Sequence, residues 1–206
     1  MPRTIFTDVA SLEARLGLPS GFYDRLLHED DWSFVIKFNA LVEAACNHVL
    51  VVRLNAPELS DAFAHLELGN SKCGKIALLR KLGALSSEQA DVLLAVAELR
   101  NDLVHDITSV RFNFAQHVSS LDANQLKGLV KRFGHGIKEV VELATVKAPR
   151  AQFVRDNPKL ALWLTAAEIV ACLYLELERV ELRLTPTTMN EHAKTLPALA
   201  QPVAKT

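Results

Sequence analysis

Apolar residues recur along most of this chain at intervals of three and four, the period of a helix that turns one face toward a core. Between Ser86 and Asp106, Val92, Val96, Leu99 and Leu103 form one such stripe, while Leu94, Glu98, Asn101 and His105 fall on roughly the opposite face. Ser86 and Gln89 have the spacing of a capping box, which sets the start of that helix. A longer helix is predicted from Trp32 to Arg53, with Asp30 and Asp31 as N-cap candidates and Phe34, Phe38, Leu41, Ala45 and Val49 on its apolar stripe. A third runs from Pro158 to Leu184 and is apolar nearly all round in its first half, which suits the middle of a core or a buried interface. No stretch alternates convincingly with the period of a strand. The expected fold class is therefore all-α, an up-and-down helical bundle.

Shorter elements complete this frame. Gly17-Leu18-Pro19-Ser20-Gly21 divides residues 1–30 into two short helices, an N-terminal helical arm. Pro57 opens a helix over 58–68 closed by Gly69, and another spans 71–83. Asp122 caps a helix to about Val146, where Gly134-His135-Gly136 predicts a kink, because each interior glycine costs a helix about 1 kcal/mol relative to alanine. One domain is expected over residues 1–184, with a core of about 30–110 and a C-terminal helical extension over 121–184. From Thr185 the periodicity stops, and 185–206 reads as a disordered tail.

Composition narrows the function classes. A formal net charge of −1 over 206 residues does not mark a general nucleic-acid binder, since phosphate affinity comes from clustered Lys and Arg. Any RNA contact must come from a local patch, and the one basic region holds Lys127, Lys131, Arg132 and Lys138 as candidate RNA-binding residues, unless it is a solvated face only. Three cysteines, Cys46, Cys73 and Cys172, are odd in number and show no C-x-x-C spacing, so they read as buried thiols of a reducing cytosol. Met1 to Phe6 lacks the pattern of a secretory signal. Leu160 to Leu175 contains Thr165 and Glu168 and falls short of the roughly 18 apolar residues that cross a bilayer, so a cytoplasmic protein without membrane contact is expected.

Two motif readings are set aside on chemistry. Gly69-Asn70-Ser71-Lys72-Cys73-Gly74-Lys75 matches a phosphate-binding loop up to its lysine, yet Ile76 stands where that loop needs a hydroxyl, and no strand precedes it. The seven histidines show no metal-ligand spacing, so neither a metal nor another cofactor is expected. His28, His65, His117 and His192 read as surface residues. Glu43, Asn47 and His48 read as the solvated face of the long helix, with an inward turn of Glu43 toward Arg100 as the other choice.

The chemistry concentrates at Arg100, Asn101 and His105. Cleaving RNA without a metal needs a base for the 2′-hydroxyl, an acid for the leaving 5′-oxygen and positive charge on the phosphorane between them. Histidine transfers protons near neutral pH, and arginine offers a permanent, planar cation to phosphate oxygens. One histidine does not easily serve both transfers, so a two-fold dimer is expected to bring in a second copy. The competing account is that a cation and a histidine in the last helical turn simply complement its dipole.

Arg-Asn-x-x-x-His at the end of an amphipathic helix resembles the motif of the HEPN superfamily. Lys75-Ile76-Ala77-Leu78-Leu79 followed by Leu82-Gly83 and the motif helix, with a hydrophobic helix around Phe153 to Leu175, is similar in order to its mannitol-repressor-like branch. The resemblance implies a helical-bundle homodimer and, in many members, a metal-independent endoribonuclease acting as a toxin or defence effector. It makes Arg100 and His105 the catalytic pair, Asn101 a positioning residue, RNA the substrate, and an antitoxin or regulatory protein the partner. The alternative is a non-catalytic dimeric regulatory module of the mannitol-repressor type.

Overall fold

The computed structural model describes the backbone of residues 2–143 and 146–195. Its elements in chain order are α1 (Ile5–Arg15), α2 (Phe22–Leu26), α3 (Asp31–Leu54), a 3-10 turn (Pro57–Leu59), α4 (Ser60–Ala64), α5 (Lys75–Lys81) and α6 (Ser87–Val104). A second 3-10 turn (Ile107–Arg111), α7 (Phe114–Ser120), α8 (Ala123–Phe133), β1 (Val140–Leu143), β2 (Val146–Pro149), α9 (Arg150–Asp156) and α10 (Pro158–Thr195) follow. The chain is an all-α helical bundle carrying one small hairpin. Caps act where the sequence puts them: Asp30 accepts from the Ser33 N–H, and Ser86 with Gln89 closes a reciprocal capping box.

α3 is the centre, packed against α10, α5 and α6. Phe34, Phe38, Leu41, Ala45 and Val49 are buried as the stripe predicts, but so are Val35, Val42, Cys46 and Leu50. Neighbours on several sides leave it only a narrow open face, so Glu43, Asn47 and His48 are half-buried rather than solvated. By length and composition α3 and the Pro158–Arg183 part of α10 could each cross a membrane, and in this fold both carry core residues. The N-terminal arm lies along α10, where Arg3 pairs with Glu178 and Arg15 with Glu181. Tyr23 and Trp163 lock the arm to α10 reciprocally: the phenol donates to the Trp163 carbonyl at 2.6 Å and the indole to the Tyr23 carbonyl at 3.1 Å.

Several expectations are corrected. The predicted 122–146 helix ends at Phe133, with Gly134 as its cap, and β1 and β2 pair antiparallel, with Val141 facing Ala148 and Glu142 facing Lys147. The reason is local: Gly136 takes a φ of +75°, which turns the chain out of the helix, and the β-branched residues that follow favour extended backbone. A side chain at Gly136 would also place Cβ 1.8 Å from the Glu168 carboxylate. The 58–68 helix shrinks to a 3-10 turn and α4, because the carbonyls of Glu67 and Leu68 turn away to accept from Lys75 and Ile76 N–H. α5 starts at Lys75 rather than Ser71, since the Asn70 side chain takes the Lys72 and Cys73 N–H groups in a turn. α10 continues past Leu184 to Thr195, an extension that costs an already nucleated helix little per residue; the rest of the expected tail, 196–206, lies outside the described residues.

The thiols also differ from expectation. Cys46 is buried, and burial pushes it up to about 12; Cys172 is half-buried, and Cys73 is exposed on the turn before α5.

Burial holds the His48 imidazolium below the usual histidine range, with Arg15 adding to the effect and Glu181 opposing it. At His117 burial acts the same way, with Asp102 opposing. The folded state therefore takes these protons less readily than the unfolded chain. Their stabilising contribution is complete above the ordinary histidine value of about 6.5 and is lost as the pH falls through that value toward the depressed folded one. The melting temperature should fall between pH 7.5 and 5.5, with a slope that flattens in a His48→Gln, His117→Gln double variant; an unchanged slope would contradict this assignment.

Candidate active site

α6 ends at Val104, and His105 caps it with φ −82° and ψ −15°. Its inward stripe, Val92, Val96 and Leu103, is buried against the bundle, which turns Asn101 and His105 outward and leaves Arg100 half-buried on the shoulder. Trp32 on α3 donates to the Leu103 carbonyl at 3.3 Å and pins this last turn. The helix end is thus held in place by core packing on one side while its polar residues face an open cleft.

That cleft, of about 650 Å³, lies between α6, α3 and the segment leaving α4. Arg100, Asn101 and His105 all line it, so the three residues singled out from the sequence share one site. Arg100 Nη1 donates to Asn101 Oδ1 at 3.1 Å, and no carboxylate pairs with the guanidinium among the described residues. A cation held on one side by an amide keeps its remaining N–H groups for an incoming anion. His105 makes no hydrogen bond or ion pair among the described residues.

The opposite wall was not foreseen. His65, exposed as the sequence reading has it, follows α4 directly and lines the same cleft, so the site holds two imidazoles from one chain. Asn39 on α3 lines it too, only 5% exposed, with its Oδ1 lacking any hydrogen-bond partner. A signal for Asn39 existed, because it is a polar residue directly beside Phe38 on a core helix. Nothing local marks His65, whose place depends on how the 65–70 segment folds back on α5.

Glu43 lines the cleft as well, but it does not hold Arg100. Its partner is Lys75, whose ammonium donates to Glu43 Oε1 at 2.7 Å and to the Ala64 carbonyl at 3.1 Å. Lys75 is 1% exposed, and Glu43 keeps 40% of its side chain open. Lys75 therefore ties α3 to the residue before His65 and supports the cleft wall. Lys75→Met should cost about 2–3 kcal/mol, below the 3–5 typical of a broken buried pair because Glu43 can still reach water. Denaturant unfolding would measure it, and a loss under about 0.5 kcal/mol, the range of ordinary surface changes, would show that the ammonium is not structural.

The same lysine closes the phosphate-loop question. A loop that cradles phosphate needs its backbone N–H groups free. Here Gly74 N–H donates to the Asn70 carbonyl, Lys75 N–H to Glu67 and Ile76 N–H to Leu68, and the ammonium points into the bundle.

The basic residues separate. Lys127, Lys131 and Arg132 line a second cleft of about 650 Å³ between α8 and the start of α6, whereas Lys138 stands outside that lining on the approach to β1. Farther along, Lys147 pairs with Glu142, Arg150 with Glu139 and Lys159 with Asp31. No group of three His, Cys, Asp or Glu side chains suited to a metal ion occurs among the described residues. Comparison of the chain with protein-family models, with curated proteins and with solved structures finds no match, so any functional reading rests on the chemistry of these clefts.

Proposed function

We propose that the protein is a metal-independent endoribonuclease of the HEPN-like type, in which Arg100 holds the scissile phosphate, His105 transfers a proton and Asn101 orients the guanidinium. The observation that carries this reading is the content of the cleft, an arginine with no carboxylate partner beside the two imidazoles of His65 and His105. The reaction suited to this set is transesterification. One neutral imidazole takes the 2′-hydroxyl proton as the oxygen bonds to phosphorus; the bond from phosphorus to the 5′-oxygen breaks, and the other imidazole, protonated, gives its proton to that oxygen. Arg100 offsets the charge that accumulates on the phosphorane. The products are a 2′,3′-cyclic phosphate and a 5′-hydroxyl.

His65 supplies in one chain the second proton-transfer group that a dimer was expected to bring. Association rests instead on Val104, Ile107 and Val110, which are 40%, 86% and 52% exposed just beside His105. A second copy would cover these apolar side chains, and we propose the homodimer on that ground. Incubating the purified protein with labelled single-stranded RNA and excess EDTA tests the activity. Fragments ending in a cyclic phosphate are expected, and RNA left intact would reject the reading.

A second reading, a non-catalytic dimeric regulatory module like the mannitol-repressor branch, is favoured by the acidic residues around the site. Glu43, Glu67 and Glu98 line the cleft and Asp102 and Asp106 lie next to it, a setting that repels RNA. Under it, Ile107→Asp separates the copies in sedimentation, and no nuclease activity accompanies the wild type. A protein that covers the cleft, whether antitoxin or regulator, fits either reading.

A further inference from the structure

The second cleft collects more positive charge than the fold uses. Lys127 and Lys131 stand four apart on α8, and Arg132 follows; none of the three takes part in an ion pair among the described residues. His135 and Arg150 line the same space from the turn after α8 and from α9. Arg132 is half-buried at the edge of the cleft, with its Nε enclosed by protein and without an acceptor among the described residues. Across from these cations α6 presents Glu88 and Asp91, which line the cleft without bridging to the lysines. The wall between is fixed: Arg150 donates to the Ile137 carbonyl at 3.2 Å and to Glu139 at 2.7 Å, which holds the post-α8 turn against α9.

We infer that this cleft is a binding site for a small phosphorylated sugar, distinct from the Arg100 cleft and independent of the nuclease reading. Its phosphate is held by Lys127, Lys131 and Arg132, and its hydroxyls donate to Glu88 and Asp91. Size agrees, since about 650 Å³ falls in the range of small-molecule sites. The two signs of charge on facing walls fit a ligand that is anionic at one end and hydroxylated at the other. A nucleic-acid strand laid through this cleft would meet Glu88 and Asp91 on the facing wall, whereas a small ligand can turn its hydroxyls toward them. The basic region thus serves a single phosphate group rather than an RNA backbone.

Calorimetric titration of the full chain at 0.15 M salt, with ribose 5-phosphate, inorganic phosphate and unphosphorylated ribose as probes, tests this. Ribose 5-phosphate should bind saturably at one site, inorganic phosphate about tenfold more weakly, and ribose not at all, because charge-assisted hydrogen bonds to phosphate supply most of the affinity. A Lys127→Ala, Lys131→Ala double variant should lose that binding while keeping the wild-type melting temperature, as neither side chain makes an ion pair. Glu88→Gln should weaken ribose 5-phosphate but leave inorganic phosphate unchanged. Absence of saturable ribose 5-phosphate binding would overturn the inference, as would binding that survives loss of both lysines. A single-stranded RNA oligomer that binds here while the sugar phosphate does not would overturn it in favour of a nucleic-acid surface. The nuclease assay reports on Arg100, His65 and His105 alone, so the two readings stand or fall separately.

Discussion

His105→Ala is expected to lower RNA cleavage by at least about a hundredfold, the lower range of what a positioned proton-transfer group contributes. Its effect on stability should stay within about 1 kcal/mol, because an exposed histidine at a helix end acts on the fold mainly through the dipole. His65→Ala should cause a loss of similar size, since the cleft offers one imidazole for each proton. Arg100→Ala should abolish cleavage, and Arg100→Lys should restore little, because an ammonium keeps the charge but not the planar fork. Chelators should change nothing in any variant. Cleavage that persists in His65→Ala but not in His105→Ala would return the second proton to a partner copy of His105 across the dimer.

Gly74→Ala should be strongly destabilising. At φ −69° and ψ 165° Gly74 sits where any residue can, so backbone conformation is not the obstacle. Space is the obstacle: a Cβ there would lie 2.6 Å from both the N and the O of Asn70 and 2.7 Å from the Glu67 carbonyl oxygen. Backbone atoms cannot swing aside as a side chain can, so α5 would have to part from the 67–70 segment and give up the bonds from Gly74, Lys75 and Ile76 N–H. A loss of about 3–5 kcal/mol follows, near the upper end for point substitutions. For a domain of this length that lowers the melting temperature by about 10 °C. Gly83→Ala provides the contrast: it has φ +70° and nothing within 4 Å, so it should cost only the left-handed penalty of about 1–2 kcal/mol. Equal losses at the two positions would show that crowding at Asn70 is not the cause. Because His65 lies two residues before Glu67, Gly74→Ala should reduce cleavage even at temperatures where the protein stays folded.

The long helices were legible because their signals are local. A capping box spans four residues, and an apolar stripe repeats every turn, so Asp30, Ser86 and Asp122 could be read as starts and the faces of α3 and α6 assigned. The same locality puts Arg100, Asn101 and His105 on one helix end, with Asn101 and His105 on its outer face and Arg100 on the adjoining shoulder, which is enough to bring them to one cleft. Where a local signal was ambiguous, its neighbours decided. Glycines at 134 and 136 allow either a kinked helix or a turn, and the valines beyond them settle on a hairpin.

The sequence by itself thus determined the helical class, the principal helices and the Arg-Asn-His grouping, all of which depend on residues within about a turn of one another. Only the tertiary structure decided which groups meet that grouping. Glu43 and Lys75 are 32 residues apart, and their pairing rests on how α5 docks against α3. His65 reaches the cleft because the 67–70 carbonyls turn to cap α5, and Lys127, Lys131 and Arg132 face Glu88 and Asp91 because α8 packs against α6. Such contacts are set by the packing of whole helices, in which a charged residue's partner is whatever the docked surface brings near, and no period or cap along the chain encodes that choice.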